Sequence, residues 1–177
     1  YNKLSDWING ILSIPWNTYK TLPVNLNTTP NINIYNYLET CMKQLDNCVY
    51  GQSKTKQHMI QLVSKMITNP NSVGNVFSIY GPMGTGKTTI IKEGLSKLLG
   101  LPFIFISLGG ASDASFLDGH SYTYEGSVPG LIIESLKKIN CMNPVFYFDE
   151  LDKVSDTSRG LEIINLLIHL TDPSQNN

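Results

Sequence analysis

Between Tyr80 and Thr89 the chain reads YGPMGTGKTT, a run whose residue types suit a polyphosphate. Gly81, then four residues, then Gly86, Lys87 and Thr88 make G-x-x-x-x-G-K-[ST], the pattern of a phosphate-binding loop. Gly81, Gly84 and Gly86 can take backbone angles closed to other residues and turn peptide N–H groups toward an anion. Lys87 brings an ammonium to the β- and γ-phosphates of ATP, and the Thr88 hydroxyl is a ligand for Mg²⁺. Pro82, Met83, Thr85 and Thr89 complete the expected ATP-binding loop. Met83 and Thr85 supply no side chain to phosphate, so their identity leaves the chemistry intact.

A second chemical group lies downstream. Val145-Phe146-Tyr147-Phe148-Asp149-Glu150 is an apolar run ending in two carboxylates, set off by Asn143-Pro144. Beside a phosphate loop, an acid at a strand's end holds Mg²⁺ and an adjacent acid activates water. Asp149 is therefore expected to be the second protein ligand of Mg²⁺ and Glu150 the general base. Glu150, Lys87 and Asp149 form the expected catalytic set.

Such groups need strands and helices to hold them. Val76 to Tyr80 reads as a short buried strand feeding the loop, and a helix from about Gly86 carries Ile90, Ile91, Leu95, Leu98 and Leu99. Phe103 to Ile106 reads as a second strand, Leu131 to Ile139 as an amphipathic helix, and Val145 onward as a third strand. Leu161 to Leu170 is apolar nearly all round, which predicts a helix buried or lying against a partner. Strand, glycine loop and helix in this order predict an α/β fold, a parallel sheet flanked by helices.

Upstream, Leu4 to Trp16 spaces Trp7, Ile8, Ile11, Leu12 and Ile14 as a helix stopping before Pro15. Its apolar face is expected to pack within the chain, with a docking surface as the alternative. Asn, Thr and Pro dominate residues 17–33, which predicts a linker and a boundary near Ile34. The expected division is 1–34, a helical segment with linker, and 35–177, the nucleotide-binding domain. Tyr35 to Asp46 and the stripe Met59, Leu62, Val63, Met66, Ile67 predict two further helices. Between them, Tyr50 in the turn Val49-Tyr50-Gly51-Gln52 is either an aromatic wall for adenine or a packed tyrosine.

Thirteen basic residues balance fourteen acidic ones, and Arg159 is the sole arginine. Near-neutrality argues against nucleic acid, and no apolar run suggests a membrane span. Cys41, Cys48 and Cys141 are odd in number and widely spaced, indicating neither a disulfide framework nor a zinc site. His58, His120 and His169 are scattered. A reducing compartment is expected: the cytoplasm, or the mitochondrial matrix if a transit peptide precedes Tyr1. From Ser107 to Gly130 the glycines and Pro129 predict an irregular excursion bearing Tyr122 and Tyr124, aromatics placed for contact.

The motifs together resemble the AAA+ module of Lon-type ATP-dependent proteases, almost end to end. The specific stretches are ISLGG from Ile106, Gly119-His120, TYEGSVPG from Thr123, SLKK from Ser135, NPVFYFDELDK from Asn143 and DPSQNN from Asp172. The resemblance implies a P-loop NTPase fold of AAA+ type and ATP hydrolysis that unfolds and translocates unfolded or damaged proteins for degradation. It also implies a homo-hexameric ring in which Tyr124, on a pore loop, grips substrate. An aromatic face grips without sequence preference. The chain departs from the family at Glu125, where an aliphatic residue is usual, and at Ser112, Asp118, Ser121 and Tyr122, where arginines are common. This predicts a preference shifted away from acidic substrates.

The resemblance places the sensor residue, arginine finger, helical lid and Ser-Lys protease domain after Asn177. It also places a fourth strand there, between the first and third. The sheet is accordingly expected to be incomplete, and residues 1–177 alone to hydrolyse ATP weakly and fold poorly, since an arginine finger is worth about 10³ to 10⁵ in rate. Two other readings stay open: an AAA+ nucleic-acid remodeller, and a regulatory module that binds nucleotide without protease activity.

Overall fold

The computed structural model describes residues 2–72, 75–111, 113–120, 128–172 and 174. Two compact units arise, one from Lys20–Phe103 and one from Tyr1–Tyr19 with Ile104–Asn177. Helix α2 spans the position near residue 34 where composition changes.

Within Lys20–Phe103, α2 (Asn31–Cys48) begins directly after Pro30, earlier than the expected Tyr35. Pro30 sets its own φ at −55° and its carbonyl accepts from the Asn33 N–H at 2.9 Å, so the helix starts there although Asn31 and Asn33 are weak helix formers. α3 (Ser53–Thr68) buries Met59, Val63 and Ile67 of the expected stripe, and Cys41 and Leu45 of α2 join this core. Lys56 of α3 is also buried, at 3% exposure, and its ammonium lies 2.9 Å from the Asp46 carboxylate of α2.

The helix after the phosphate loop comes in three pieces: α4 (Lys87–Thr89), a π-helical stretch over Ile90–Leu95, and α5 (Ser96–Leu99). The Ser96 N–H reaches back five residues to the Ile91 carbonyl, the bond of the wider turn. Gly94 lies in that turn, where a Cβ would stand 2.8 Å from Leu45 Cδ2, so the missing side chain lets α2 approach.

Two sequence expectations fail in this unit. Residues 76–80 are not a strand, and Val76 and Tyr80 are exposed. A strand exists by its ladder partners, and the fourth strand expected beside this one is not among these residues. Gly81 does not use a left-handed backbone; among the described loop glycines Gly84 and Gly86 do, at φ 75° and 80°.

In the other unit, β1 (Phe103–Ser107) and β2 (Val145–Asp149) form a parallel pair. The connection between them carries α6 (Ser115–Asp118) and α7 (Leu131–Ile139). A 3₁₀ turn (Leu151–Lys153) follows β2 and leads to α8 (Ser158–Thr171), whose Thr157 hydroxyl accepts from the Gly160 N–H. Ile104, Ile106, Leu108, Leu117 and Ile163 form the core, with Phe146 and Phe148 packed against it. The α/β architecture expected from the strand and helix order is present, with two of the three expected strands.

α1 (Asn2–Leu12) forms as expected, but its apolar face is not buried as expected. Trp7 is 47% exposed, Leu12 72% and Trp16 56%, because few residues of its own unit cover them. α8 likewise buries only Gly160 and Ile163, while Leu161, Ile168 and Leu170 face outward.

Candidate active site

The phosphate loop is shaped by its two left-handed glycines. At φ 75° and 80°, Gly84 and Gly86 occupy backbone space that L side chains rarely adopt. A Cβ on Gly86 would also press both Val49 methyls at 3.3 Å. Lys87 Nζ donates to the carbonyls of Gly81 at 2.9 Å and Pro82 at 2.7 Å, and the Thr85 hydroxyl donates to the Pro82 carbonyl at 2.9 Å. The ammonium therefore lies against the loop it is expected to serve. Lys87, Thr88 and Thr89 begin the helical run, whose positive end suits an anion.

A cleft of about 530 Å³ runs between this loop and the turn after α2. Tyr50 lines it with Val49 and Gln52 on one side, and Thr85, Gly86 and Thr89 on the other. Tyr50 is fully exposed, so it is not packed against other residues of this chain. Gln52 crosses the cleft, its side-chain amide donating to the Thr85 carbonyl. The sequence pattern singled out Tyr50 and missed Val49 and Gln52.

The two acids lie at the end of β2. Asp149 Oδ1 accepts from the Glu150 N–H at 3.0 Å and from the Tyr147 hydroxyl at 3.4 Å. Glu150 itself has φ 60°, a left-handed conformation that costs a residue with a Cβ about 1–3 kcal/mol. Its carboxylate forms an ion pair with Lys153 and accepts from the Ser107 hydroxyl at 3.2 Å. The Lys153 hydrogen bond, with a smaller contribution from Ser107, holds Glu150 below the usual carboxylate range, and Lys153 is raised in return. A Cβ on Gly109 would run into the Glu150 carboxylate, so that glycine leaves the room it occupies.

The loop after β1 closes on itself at its base. Gly119 and Pro129 form an antiparallel bridge, and the His120 N–H donates to the Val128 carbonyl at 3.2 Å. Gly119 has φ 89°, and a Cβ there would strike the backbone of residues 128–130. Tyr124 and Glu125 lie outside the described residues, as do Ser112, Ser121 and Tyr122.

Residues 77–177 match the family described as ATPase family associated with various cellular activities (AAA). The chain belongs to the AAA ATPase family. The AAA match begins just before the phosphate loop and includes Asp149 and Glu150. Over nearly its whole length the chain also resembles proteins named Lon protease. It is 40% identical over 181 residues to the Lon protease homolog of Acanthamoeba polyphaga mimivirus, covering 98% of this chain and 17% of that protein. To the Lon protease of Wolbachia pipientis subsp. Culex pipiens it is 35% identical, covering 98% of this chain and 19% of that one. For Nitratidesulfovibrio vulgaris the identity is 33%, with 99% of this chain and 20% of the relative covered. The chain thus spans about a fifth of the length of these curated relatives.

Membership of this family implies nucleotide binding, and the left-handed glycine cradle fits it. Among the described residues, no three His, Cys, Asp or Glu side chains gather as a metal site. Cys41, Cys48 and Cys141 are free thiols. Among the described residues, no helix is long and apolar enough to cross a membrane.

Proposed function

We propose that this AAA segment binds and hydrolyses ATP within a Lon-like ATP-dependent serine protease, driving unfolded or damaged proteins into degradation. The observation that carries the reading is the loop with Gly84 and Gly86 left-handed and Lys87 folded against it, continuing into a helix. Lys87 moves from the Gly81 and Pro82 carbonyls to the β- and γ-phosphates. The Thr88 hydroxyl and Asp149 would hold Mg²⁺, which would supply charge neutralisation on the phosphates. Glu150 takes a proton from water as the water oxygen attacks the γ-phosphorus and the bond to the β–γ bridging oxygen breaks, giving ADP and phosphate.

Tyr124, with Glu125 beside it, contacts the translocating chain in a homo-hexameric ring. The outward apolar faces of α1 and α8 agree with a chain that is covered by more protein than these residues supply. A reducing compartment, cytoplasm or mitochondrial matrix, suits the free thiols.

The test is degradation of an unfolded reporter by the full-length protein. ATP-dependent loss of the reporter that disappears in Lys87→Ala supports the reading. Nucleotide turnover without any degradation leaves an AAA motor that is not a protease and overturns it.

A further inference from the structure

The Gln52 side chain has a place in this site that no sequence motif assigned to it. Its backbone is left-handed, at φ 54°, and its carbonyl accepts from the Lys56 N–H at 3.0 Å, so the residue starts α3. From that fixed point its amide crosses the cleft and donates to the Thr85 carbonyl. The opposite amide orientation would set two carbonyl oxygens against each other, so the nitrogen is the atom that faces Thr85.

A trans peptide points its C=O and its N–H in opposite directions. Holding the Thr85 carbonyl toward Gln52 therefore turns the Gly86 N–H of the same peptide plane the other way. That N–H belongs to the set of loop donors that cradles phosphate. Glycine tolerates both signs of φ, so peptide planes between Gly84 and Gly86 are cheap to flip. Lys87 and Thr85 hold the carbonyls of Gly81 and Pro82, leaving the Thr85 carbonyl to Gln52.

We propose that Gln52 is a positioning residue for phosphate: it locks the Thr85–Gly86 peptide so that the Gly86 N–H stays available to the polyphosphate, and it ties that loop to α3. This rests on the ATP reading above and deepens it. Gln52 acts on the phosphate end of the ligand and leaves recognition of the base unchanged.

The experiment uses the full-length protein with Gln52→Leu, which removes the donor at similar volume, and Gln52→Glu, which puts an acceptor against the Thr85 carbonyl. Affinities for MgADP and for inorganic tripolyphosphate are measured by titration and competition, and ATP turnover is followed in parallel. One lost hydrogen bond predicts about 5- to 10-fold weaker binding of both ligands in Gln52→Leu. A larger loss is expected in Gln52→Glu. KM for ATP should rise, kcat should stay within about twofold, and the unfolding midpoint without ligand should not move.

Wild-type affinity in both variants overturns the inference. So does a loss confined to MgADP with tripolyphosphate unchanged, since that is the behaviour of a base-reading residue. If Gln52→Leu melts early, the isosteric Gln52→Glu decides alone. Binding lost in Lys87→Ala but kept in the Gln52 variants overturns this inference and leaves the ATP reading standing. A wild-type protein that binds neither ligand overturns both.

Discussion

The Lys153 ammonium is paired with the Glu150 carboxylate, three residues back along the turn that follows β2. The pair, aided by the Ser107 hydroxyl, keeps Glu150 ionised to a lower pH than an ordinary glutamate. In its proposed role as general base, Glu150 would act only when ionised. Lys153→Met is therefore expected to move the acid limb of ATP turnover upward in pH, toward the ordinary carboxylate range. The sign for stability is the same: a lowered carboxylate pKa contributes above the ordinary glutamate range and is lost as pH falls through the lowered value. A pH–rate profile of the full-length variant checks this; an unchanged acid limb removes Lys153 from control of the base.

Gly109 faces the same carboxylate from the loop after β1. A methyl group there collides with the flexible end of Glu150 and not with backbone, so the carboxylate moves and the fold stays. Gly109→Ala is expected to lower kcat about tenfold or more while KM for ATP changes little. Steady-state kinetics with the unfolding midpoint as control separates this from general damage.

The glycines of the phosphate loop are not equivalent. Gly86 combines φ 80° with Val49 methyls 3.3 Å from a Cβ, whereas a Cβ on Gly81 meets only the Thr85 hydroxyl at 3.8 Å. Gly86→Ala is expected to weaken nucleotide binding at least about tenfold, combining backbone strain of about 1–3 kcal/mol with a narrowed cleft. Gly81→Ala should stay within about threefold. Titration with MgADP ranks the two; equal losses contradict the distinction.

Lys56 and Asp46 predict an asymmetric pair of stability effects. Lys56 is buried while the Asp46 side chain is largely in water. Asp46→Ala strands a buried ammonium, whereas Lys56→Met leaves a carboxylate that water already solvates. The expected cost is about 1–3 kcal/mol for Asp46→Ala and clearly less for Lys56→Met. Hydrogen exchange across α2 and α3 reports the difference, and a costlier Lys56→Met reverses the argument.

β1 and β2 were legible because each is a short apolar run set off by proline and ending on polar or acidic residues. α3 was legible from one stripe, Met59, Val63 and Ile67. Other features depend on what the local pattern does not carry. Residues 76–80 have strand composition, but a ladder partner decides a strand. Helical spacing from Ile90 to Leu99 is the same to the eye for an α and a π turn, so the wider turn around Gly94 was hidden. The faces of α1 and α8 are apolar in sequence, yet composition does not say whether this chain covers them.

At the candidate site, Lys87, Asp149 and Glu150 were singled out because the chemistry proposed for them is tied to a fixed local spacing. Gln52, Ser107, Gly109 and Lys153 were not singled out, because their roles come from crossings and turns. Ser107 and Gly109 belong to the ISLGG run, and they give Glu150 a hydrogen bond and the room its carboxylate occupies. A lysine in a helix such as α3 reads as solvated, which concealed Lys56.

The central claim is that Glu150 activates water at an ATP site formed around Lys87, and Glu150→Gln in the full-length protein tests it most directly. The amide keeps the shape and loses the base, so MgATP should bind with affinity within about threefold of wild type while turnover falls by at least about a hundredfold. Turnover that persists near the wild-type rate, with MgATP bound, would contradict the account.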